Sequence, residues 1–185
     1  MAVDLVLNDA ERAAGFEGVV RIKVNGPNAK PISDIWAAFC KSDKDVRKAA
    51  ESKHVDLIVG LEEVEVKDSL HNRNSGMNEV ICKLAAKNNI AVAFSFSKVL
   101  HSKSKSLLMG RMMQNVELCR KYKVRMLIAS FAETKWDLRS YNELFSFGIT
   151  LGMTPKEAKD ALEIANVILR EKKQEKLPAG IRRVR

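Results

Sequence analysis

Residues 111–130 read RMMQNVELCRKYKVRMLIAS, and their hydrophobic pattern changes halfway along the stretch. Apolar side chains from Met112 to Cys119 approximate one face of a helix, whereas Val124–Ala129 is a short and almost continuous apolar run. An amphipathic helix followed by a buried strand is typical of a helix that returns the chain to a parallel sheet. The turn between the two carries four cations within six residues, namely Arg120, Lys121, Lys123 and Arg125.

The same plan occurs three times in the middle of the chain. Each unit has a helix of two or three turns, a polar turn and an apolar strand, and the units are Val46–Gly60, Val80–Ser95 and Val116–Ser130. Their starts lie 34 and 36 residues apart. Helix and strand that alternate at this spacing predict right-handed βαβ crossovers and a parallel sheet.

Three earlier apolar segments predict further strands, which gives six strands in all; they are Val3–Leu7, Val19–Val24 and Ile35–Phe39. Helix starts are indicated where Ser42 precedes Asp45, where Ser140 precedes Glu143, and at Thr154-Pro155. Six strands that alternate with helices fit either an open doubly wound sheet or a barrel. A complete eightfold barrel usually needs about 250 residues, so a barrel in this chain would be incomplete or tightly trimmed.

The domain organisation that follows is one α/β domain over residues 1–173 and a basic C-terminal tail over residues 174–185. The last helix is predicted at about Pro155–Lys173, and a Pro178-Ala179-Gly180 break follows it. We expect a cytoplasmic protein that does not enter a membrane, because no apolar run approaches the roughly 20 residues of a membrane helix and the N-terminus is acidic. Three widely spaced cysteines, Cys40, Cys82 and Cys119, predict buried free thiols.

The net charge of +9 is distributed unevenly along the chain. Residues 1–69 carry 10 Lys and Arg against 13 Asp and Glu, whereas residues 70–185 carry 22 against 10. This asymmetry favours a polyanionic partner, above all nucleic acid, for the C-terminal two-thirds. A basic protein without such a partner is the alternative that charge alone leaves open.

Motifs for catalysis are missing from the sequence. No glycine-rich phosphate loop of the G-x-G-x-x-G or G-x-x-x-x-G-K-[ST] type follows a predicted strand. The histidines His54, His71 and His101 do not have metal-binding spacing, although Glu62, Glu63 and Glu65 follow a strand where a barrel enzyme would carry catalytic acids. We therefore predict no catalytic residue, metal ligand or cofactor in this chain.

The basic surface is the remaining candidate site. Residues 98–125 hold eight Lys and Arg and one acid. Loops that follow parallel strands share a face with helix N-termini, which favour phosphate, whereas the Arg120–Arg125 turn lies on the opposite face. The charge is thus expected on two faces. Because exposed aromatic residues are few, we expect base stacking to be minor beside backbone contacts.

Three segments of the chain resemble, in the same order, the third protein component of archaeal ribonuclease P, the family of the eukaryotic thirty-kilodalton subunit. Residues 72–100 match its N-R-x-x-G opening and K-N turn, residues 111–130 match its next unit, and residues 130–159 match its W-[DE]-[LV]-R loop and L-G-M helix end. Ser130-Phe131-Ala132 departs from the family's commoner small polar run, so no role is carried over to Ser130.

The resemblance implies a distorted TIM-like barrel related to the polymerase and histidinol phosphatase superfamily, without that superfamily's metal chemistry. It further implies a protein that assists a catalytic RNA, which carries its own magnesium, in removing the 5′ leader of precursor tRNA. The partners implied are the ribonuclease P RNA, precursor tRNA and a Pop5-type protein subunit. The alternatives are a metal-dependent phosphoesterase of the related superfamily and a protein-binding scaffold with little RNA contact.

The candidate RNA contacts come from two sources. The resemblance, which runs from about Arg47 to Leu169, supplies Arg47, Arg73, Arg111, Lys135 and Arg139, and the basic turn adds Lys121 and Lys123. Arginines are the stronger candidates because the planar guanidinium can donate two hydrogen bonds to one phosphate.

Overall fold

The structure, a computed structural model, describes residues 2–7, 15–22, 24–25, 35–64, 68 and 73–175. In these ranges the strands are β1 (Val3–Val6), β2 (Gly18–Arg21), β3 (Val24–Asn25), β4 (Ala37–Phe39), β5 (Leu57–Val59), β6 (Ala91–Ser95) and β7 (Arg125–Ala129). The helices are α1 (Asp43–Glu51), α2 (Glu79–Lys87), α3 (Phe96–His101), α4 (Lys105–Tyr122), α5 (Tyr141–Thr150) and α6 (Pro155–Glu175). Leu61–Glu63 and Lys135–Asp137 form short 3-10 turns.

All pairs of neighbouring strands run parallel, which confirms the α/β class and the parallel sheet. One sheet has the order β3-β4-β5-β6-β7, and β1 pairs with β2 in a second sheet. The three predicted units correspond to α1 with β5, α2 with β6, and α4 with β7. Helical crossovers between parallel neighbours explain why the repeat was visible in the sequence.

The predicted strand Val19–Val24 divides into β2 and β3, and this division separates the two sheets. β2 pairs with β1, whereas β3 pairs with β4. On its other side β1 contacts the residues after β7, through a parallel bridge between Val6 and Ala132 and a 2.9 Å hydrogen bond from the Phe131 N–H to the Leu5 carbonyl. The described strands thus form two linked parallel sheets and no single closed barrel.

Both faces of the larger sheet are buried. On one face, residues such as Ile58, Val92 and Ile128 pack under the helices in one cluster. On the other face, Leu57, Leu127 and their neighbours pack with β1 and α6 in a second cluster. Burial on both faces accounts for strands that are apolar runs and do not alternate.

Helix α6 packs against β7 and β1, so it covers the side of the sheet where those two strands meet. Ala158 and Leu162 belong to the first cluster, whereas Ala165 and Ile168 belong to the second. The helix extends to Glu175, two residues beyond its predicted end. The remainder of the predicted basic tail, residues 176–185, lies outside the described residues.

Several local expectations are confirmed. Ser42 and Ser140 cap α1 and α5 by accepting hydrogen bonds from Asp45 and Glu143, and α6 begins at Pro155. The three cysteines are buried and free. Burial raises the pKa of the Cys82 thiol to about 11 and that of the Cys40 thiol to about 12, so both stay protonated at neutral pH.

Candidate nucleic-acid interface

A cleft of about 440 Å³ lies between α1, the start of α2 and the middle of α4. Two of the predicted RNA contacts, Arg47 and Arg73, line this cleft together. The other lining residues are polar or small side chains and a few apolar ones, namely Asp43, Val46, Asn74, Gly76, Met77, Asn78, Val80, Ile81 and Gln114. The structure therefore brings together two arginines that lie 26 residues apart in the sequence.

Both arginines are exposed, and among the described residues Arg47 forms an ion pair within its own helix whereas Arg73 donates to a backbone carbonyl. The Nε of Arg47 donates to Glu51 one turn along α1, at 2.9 Å. The Nη1 of Arg73 donates to the Gly110 carbonyl of α4 at 3.0 Å. Gly110 makes that approach possible, because a Cβ there would lie 2.8 Å from Arg73 Nη1. The contacts orient the guanidinium groups and leave further N–H donors at the cleft.

The start of α2 adds a second feature that favours an anion. Asn78 is the N-cap and accepts a 3.0 Å hydrogen bond from the Ile81 N–H, and it also lines the cleft. The N-terminal end of a helix carries a partial positive charge, so phosphate is favoured beside it. Two arginines and a helix N-terminus around one cleft are an arrangement that can bind an RNA phosphate.

Arg111 is placed differently, because only 8% of its surface is exposed. Its guanidinium donates to the carbonyl of Glu62 at 3.0 Å and to the carboxylate of Asp68 at 2.7 Å. Asp68 also accepts the Asn74 N–H at 2.8 Å, and these two bonds lower the pKa of its carboxyl. Arg111 thus ties α4 to Glu62 and, through Asp68, to Asn74 beside Arg73.

Lys135 and Arg139 lie together at the Lys135–Asp137 turn, as the sequence predicted for one loop. The Nζ of Lys135 lies 5.0 Å from the centre of the Trp136 ring. Arg139 donates from Nη1 to the carbonyls of Trp136 and Leu138, at 2.9 and 2.7 Å, and its guanidinium carbon lies 4.8 Å from the centre of the Phe96 ring. Arg139 is therefore engaged in holding the turn.

The basic turn before β7 contains two different kinds of cation. Arg120 forms a two-point ion pair with Glu157, and Arg125 forms one with Glu171, all at 2.8–2.9 Å. Lys121 and Lys123 are exposed, with Lys121 Nζ 5.3 Å from the centre of the Tyr122 ring. Lys123 ends α4 in a left-handed conformation with φ of 56°.

These ion pairs were not visible in the sequence. The partners come from α6, 37 and 46 residues further along the chain, and no local pattern links residues so far apart. The Arg120 guanidinium lowers the pKa of the Glu157 carboxyl to about 2. Two of the four charges in the turn are thereby neutralised.

A second, smaller cavity lies at the carboxyl ends of the strands. It has a volume of about 200 Å³, and Phe39, Val59, Ser95, Lys98 and Glu133 are among its lining residues. The Lys98 Nζ lies 3.3 Å from the Glu63 carboxylate and 4.9 Å from the centre of the Phe39 ring. In the described part of the chain, no group of three or more His, Cys, Asp or Glu is placed to hold a metal ion.

Among the described residues, the histidine candidates contact other partners than the acidic candidates Glu62 and Glu63, and Glu65 lies outside the described residues. Glu62 is 1% exposed, and neither of its carboxylate oxygens has a hydrogen-bond partner in the described residues. This burial, together with the nearby Glu63, raises the pKa of Glu62 to about 7. His54 stacks on Trp36, His101 bonds to Asp137, and His71 lies outside the described residues.

Asp4 and Ser130 form a contact that the sequence did not reveal. The buried Asp4 carboxylate accepts hydrogen bonds from the Ser130 hydroxyl at 2.6 Å and from its N–H at 2.8 Å. Burial raises the pKa of Asp4 to about 6, although these hydrogen bonds act in the opposite direction. The pair joins β1 to the end of β7, which gives Ser130 a structural role.

The fold and this surface together define an α/β protein of parallel strands that presents an arginine-lined cleft. The model of one family, described as RNase P subunit p30, matches residues 22–177, and the chain belongs to that family. The chain is 32% identical to ribonuclease P protein component 3 of Methanosarcina mazei over 86% of its own length, and 28% identical to that of Methanococcoides burtonii over 93%.

The chain spans 61% of the length of the Methanosarcina mazei relative and 65% of the Methanococcoides burtonii one. A cryo-EM structure of archaeal ribonuclease P with mature tRNA contains a chain of similar fold. The TM-score is 0.68 at 22% identity, and the match covers 83% of this chain and 65% of that one. No helix in the described ranges is long and apolar enough to cross a membrane.

Proposed function

We propose that this chain is a protein subunit of ribonuclease P, which assists the catalytic RNA in removing the 5′ leader from precursor tRNA. The observation that carries the proposal is the cleft in which Arg47 and Arg73 meet the start of α2, in a member of the RNase P subunit p30 family. Two relatives named ribonuclease P protein component 3 align with 86% and 93% of this chain.

In this proposal the protein contributes binding and the RNA contributes chemistry. The catalytic centre and its magnesium belong to the RNA, and this chain holds no cofactor of its own. Its partners are the ribonuclease P RNA, precursor tRNA and a Pop5-type protein subunit, in the cytoplasm. The excess of 12 positive charges over residues 70–185 supports a polyanionic partner.

The cleft is proposed to bind a phosphate of the RNA backbone. Arg47 and Arg73 would each donate to phosphate oxygens, beside the α2 N-terminus that lines the same cleft. Lys121 and Lys123 on the opposite face, and Lys135 with Arg139 at the Lys135–Asp137 turn, are proposed as secondary contacts. Arg111 acts beneath the cleft, since its guanidinium is buried against Asp68 and backbone carbonyls.

We further propose that this α/β fold is a distorted, incomplete TIM-like barrel of the polymerase and histidinol phosphatase type. Its support is the arrangement in which β2 and β3 are almost continuous in sequence and pair with opposite neighbours. On the other side, the Val6–Ala132 bridge connects β1 to the end of β7. Helix α6 packs against both β7 and β1, the two strands that this bridge connects.

Recovery of RNA with the tagged protein from its own cells tests the function. The expected result is enrichment of the ribonuclease P RNA. The double variant Arg47→Ala/Arg73→Ala should recover less of this RNA than the wild-type protein. Two outcomes would contradict the proposal. Metal-dependent hydrolysis of a simple phosphoester by the purified chain, abolished by chelation, would favour the phosphoesterase, and recovery of proteins without RNA would favour the scaffold.

A further inference from the structure

Trp136 is the most exposed large hydrophobic side chain in the described part of the molecule. Its exposed fraction is 76%, whereas the next in order, Val80, is 56% exposed. An indole exposed to this extent loses the gain of about 2 kcal/mol or more that burying an aromatic ring provides. Such exposure needs a reason beyond the stability of the fold.

The turn that carries Trp136 is fixed by a dense set of hydrogen bonds. The carboxylate of Asp137, 2% exposed, accepts hydrogen bonds from both the N–H and the hydroxyl of Thr134 at 3.0 Å. His101 of α3 adds a 2.9 Å contact to the same carboxylate. These bonds to the ionised form lower the pKa of Asp137 despite its burial.

Arg139 fixes the turn from the other side. Its Nη1 bonds the Trp136 and Leu138 carbonyls, and its guanidinium packs over the Phe96 ring at 4.8 Å. The Trp136 carbonyl is therefore held by Arg139 and the adjacent Asp137 by Thr134 and His101, while the tryptophan side chain is exposed. An exposed aromatic ring on a rigid backbone is a preorganised binding surface, because little conformational freedom is lost when a ligand binds.

The surroundings of the ring are cationic. The Nζ of Lys135 lies 5.0 Å from the ring centre. The His101–Asp137 contact also places the end of α3 beside the turn, and the exposed residues Lys103 and Lys105 follow it directly in the chain. Glu133 is the one exposed acid between β7 and the turn. An exposed aromatic ring with a lysine ammonium beside it suits a nucleobase with its attached phosphate.

We propose that Trp136 is a stacking platform for an unpaired base of RNA, with Lys135 beside it to contact the adjoining phosphate. The site is separate from the Arg47–Arg73 cleft, and it rests on the proposed function only for the identity of the ligand as RNA. It also modifies the expectation that base stacking would be minor. The charge around the ring favours RNA over an apolar protein surface, which is the competing occupant.

The test uses the two tryptophans of the chain as an internal pair. In Trp36→Phe all tryptophan fluorescence comes from Trp136, because Trp36 and Trp136 are the only tryptophans in the sequence. A short single-stranded RNA without self-pairing should quench this emission, and a blunt RNA duplex of the same length should not. Trp136→Ala should bind the single strand roughly 5- to 150-fold more weakly, the range for loss of one stacked base, while Trp136→Phe should retain part of the affinity.

The outcomes separate this site from the proposed function. Binding of ribonuclease P RNA with unchanged emission, or equal affinity of Trp136→Ala and wild type for the single strand, would overturn the platform and leave the cleft standing. Quenching by a Pop5-type protein in place of RNA would reassign the ring to a protein contact. If the wild-type chain bound no RNA at all, both the stacking platform and the proposed function would be overturned. Thermal unfolding of Trp136→Ala should match wild type, since the ring is exposed.

Discussion

At the residue scale, the arginines differ in what their guanidinium groups contact. Arg120 and Arg125 are neutralised by Glu157 and Glu171, and Arg111 is buried against Asp68 and backbone carbonyls. Arg47 is exposed but paired with Glu51 of the same helix, whereas Arg73 is exposed at the cleft and, among the described residues, donates to the Gly110 carbonyl. Because a neutralised cation adds little to the attraction of a polyanion, the count of basic residues overstates the number available to RNA.

Arg73→Ala should therefore weaken RNA binding in a salt-dependent way. One lost phosphate contact reduces the slope of log affinity against log salt by about one. Binding of ribonuclease P RNA would be measured at several salt concentrations. Lys48→Ala is the matched control, because Lys48 is an exposed cation of α1 that does not line the cleft. Identical slopes for wild type and Arg73→Ala would remove Arg73 from the interface.

The buried carboxyl of Glu62 leads to a prediction about how the stability of the fold depends on pH. Its pKa is raised from 4.5 to about 7, so the folded state binds this proton more tightly than the unfolded state. The contribution of Glu62 to stability is therefore greatest below pH 4.5 and is lost as the pH rises through about 7. Asp4, with its pKa raised to about 6, acts in the same direction.

Glu62→Gln removes that titration while keeping the shape of the side chain. The variant should gain about 3 kcal/mol relative to wild type between pH 4.5 and about pH 8, because Gln carries no charge to bury. Urea unfolding at a series of pH values measures the difference, and Asp4 titrates in both proteins and so cancels. A difference that stays constant with pH would show that Glu62 is not buried in its charged form.

At the element scale, the repeated helix–strand units could be predicted because each has its own hydrophobic pattern and its own cap. The hydrophobic pattern did not predict α3, because this short helix follows β6 without a loop. Its N-cap is Ser95, whose side chain accepts a hydrogen bond from the Lys98 N–H. The pattern also failed at the start of α4, six residues before Arg111, since the buried Arg111 and Asn115 interrupt the apolar stripe. Polar side chains that satisfy backbone groups of other segments cannot be recognised locally.

Helix α6 is predicted to be essential to the fold, because it packs on the side where β1 meets β7. Ile168, 3% exposed in the second cluster, should cost about 3 kcal/mol when replaced by Ala. Ile149 of α5 is 39% exposed, so Ile149→Ala is the matched control and should change stability by less than about 1 kcal/mol. The free energy of unfolding in urea measures both, and equal losses would show that α6 is not packed as described.

At the scale of the whole molecule, charge is distributed on two faces, as the order of loops and strands predicted. Arg73 and the Trp136 turn lie in segments that follow β5 and β7, whereas Lys121 and Lys123 precede β7. The sequence could indicate which loops share a face, because parallel strands fix it. It could not show that the two cleft arginines meet, since that depends on how α1, α2 and α4 pack.

The central claim is that this chain assists a catalytic RNA. The most direct measurement is the rate of 5′ leader removal from precursor tRNA by particles reconstituted from ribonuclease P RNA and its protein subunits, with and without this chain. We expect slower processing without the chain, a rate only partly restored by the Arg47→Ala/Arg73→Ala variant, and no cleavage by the protein alone. Equal rates with and without the chain, or cleavage by the protein alone that a chelator abolishes, would contradict it.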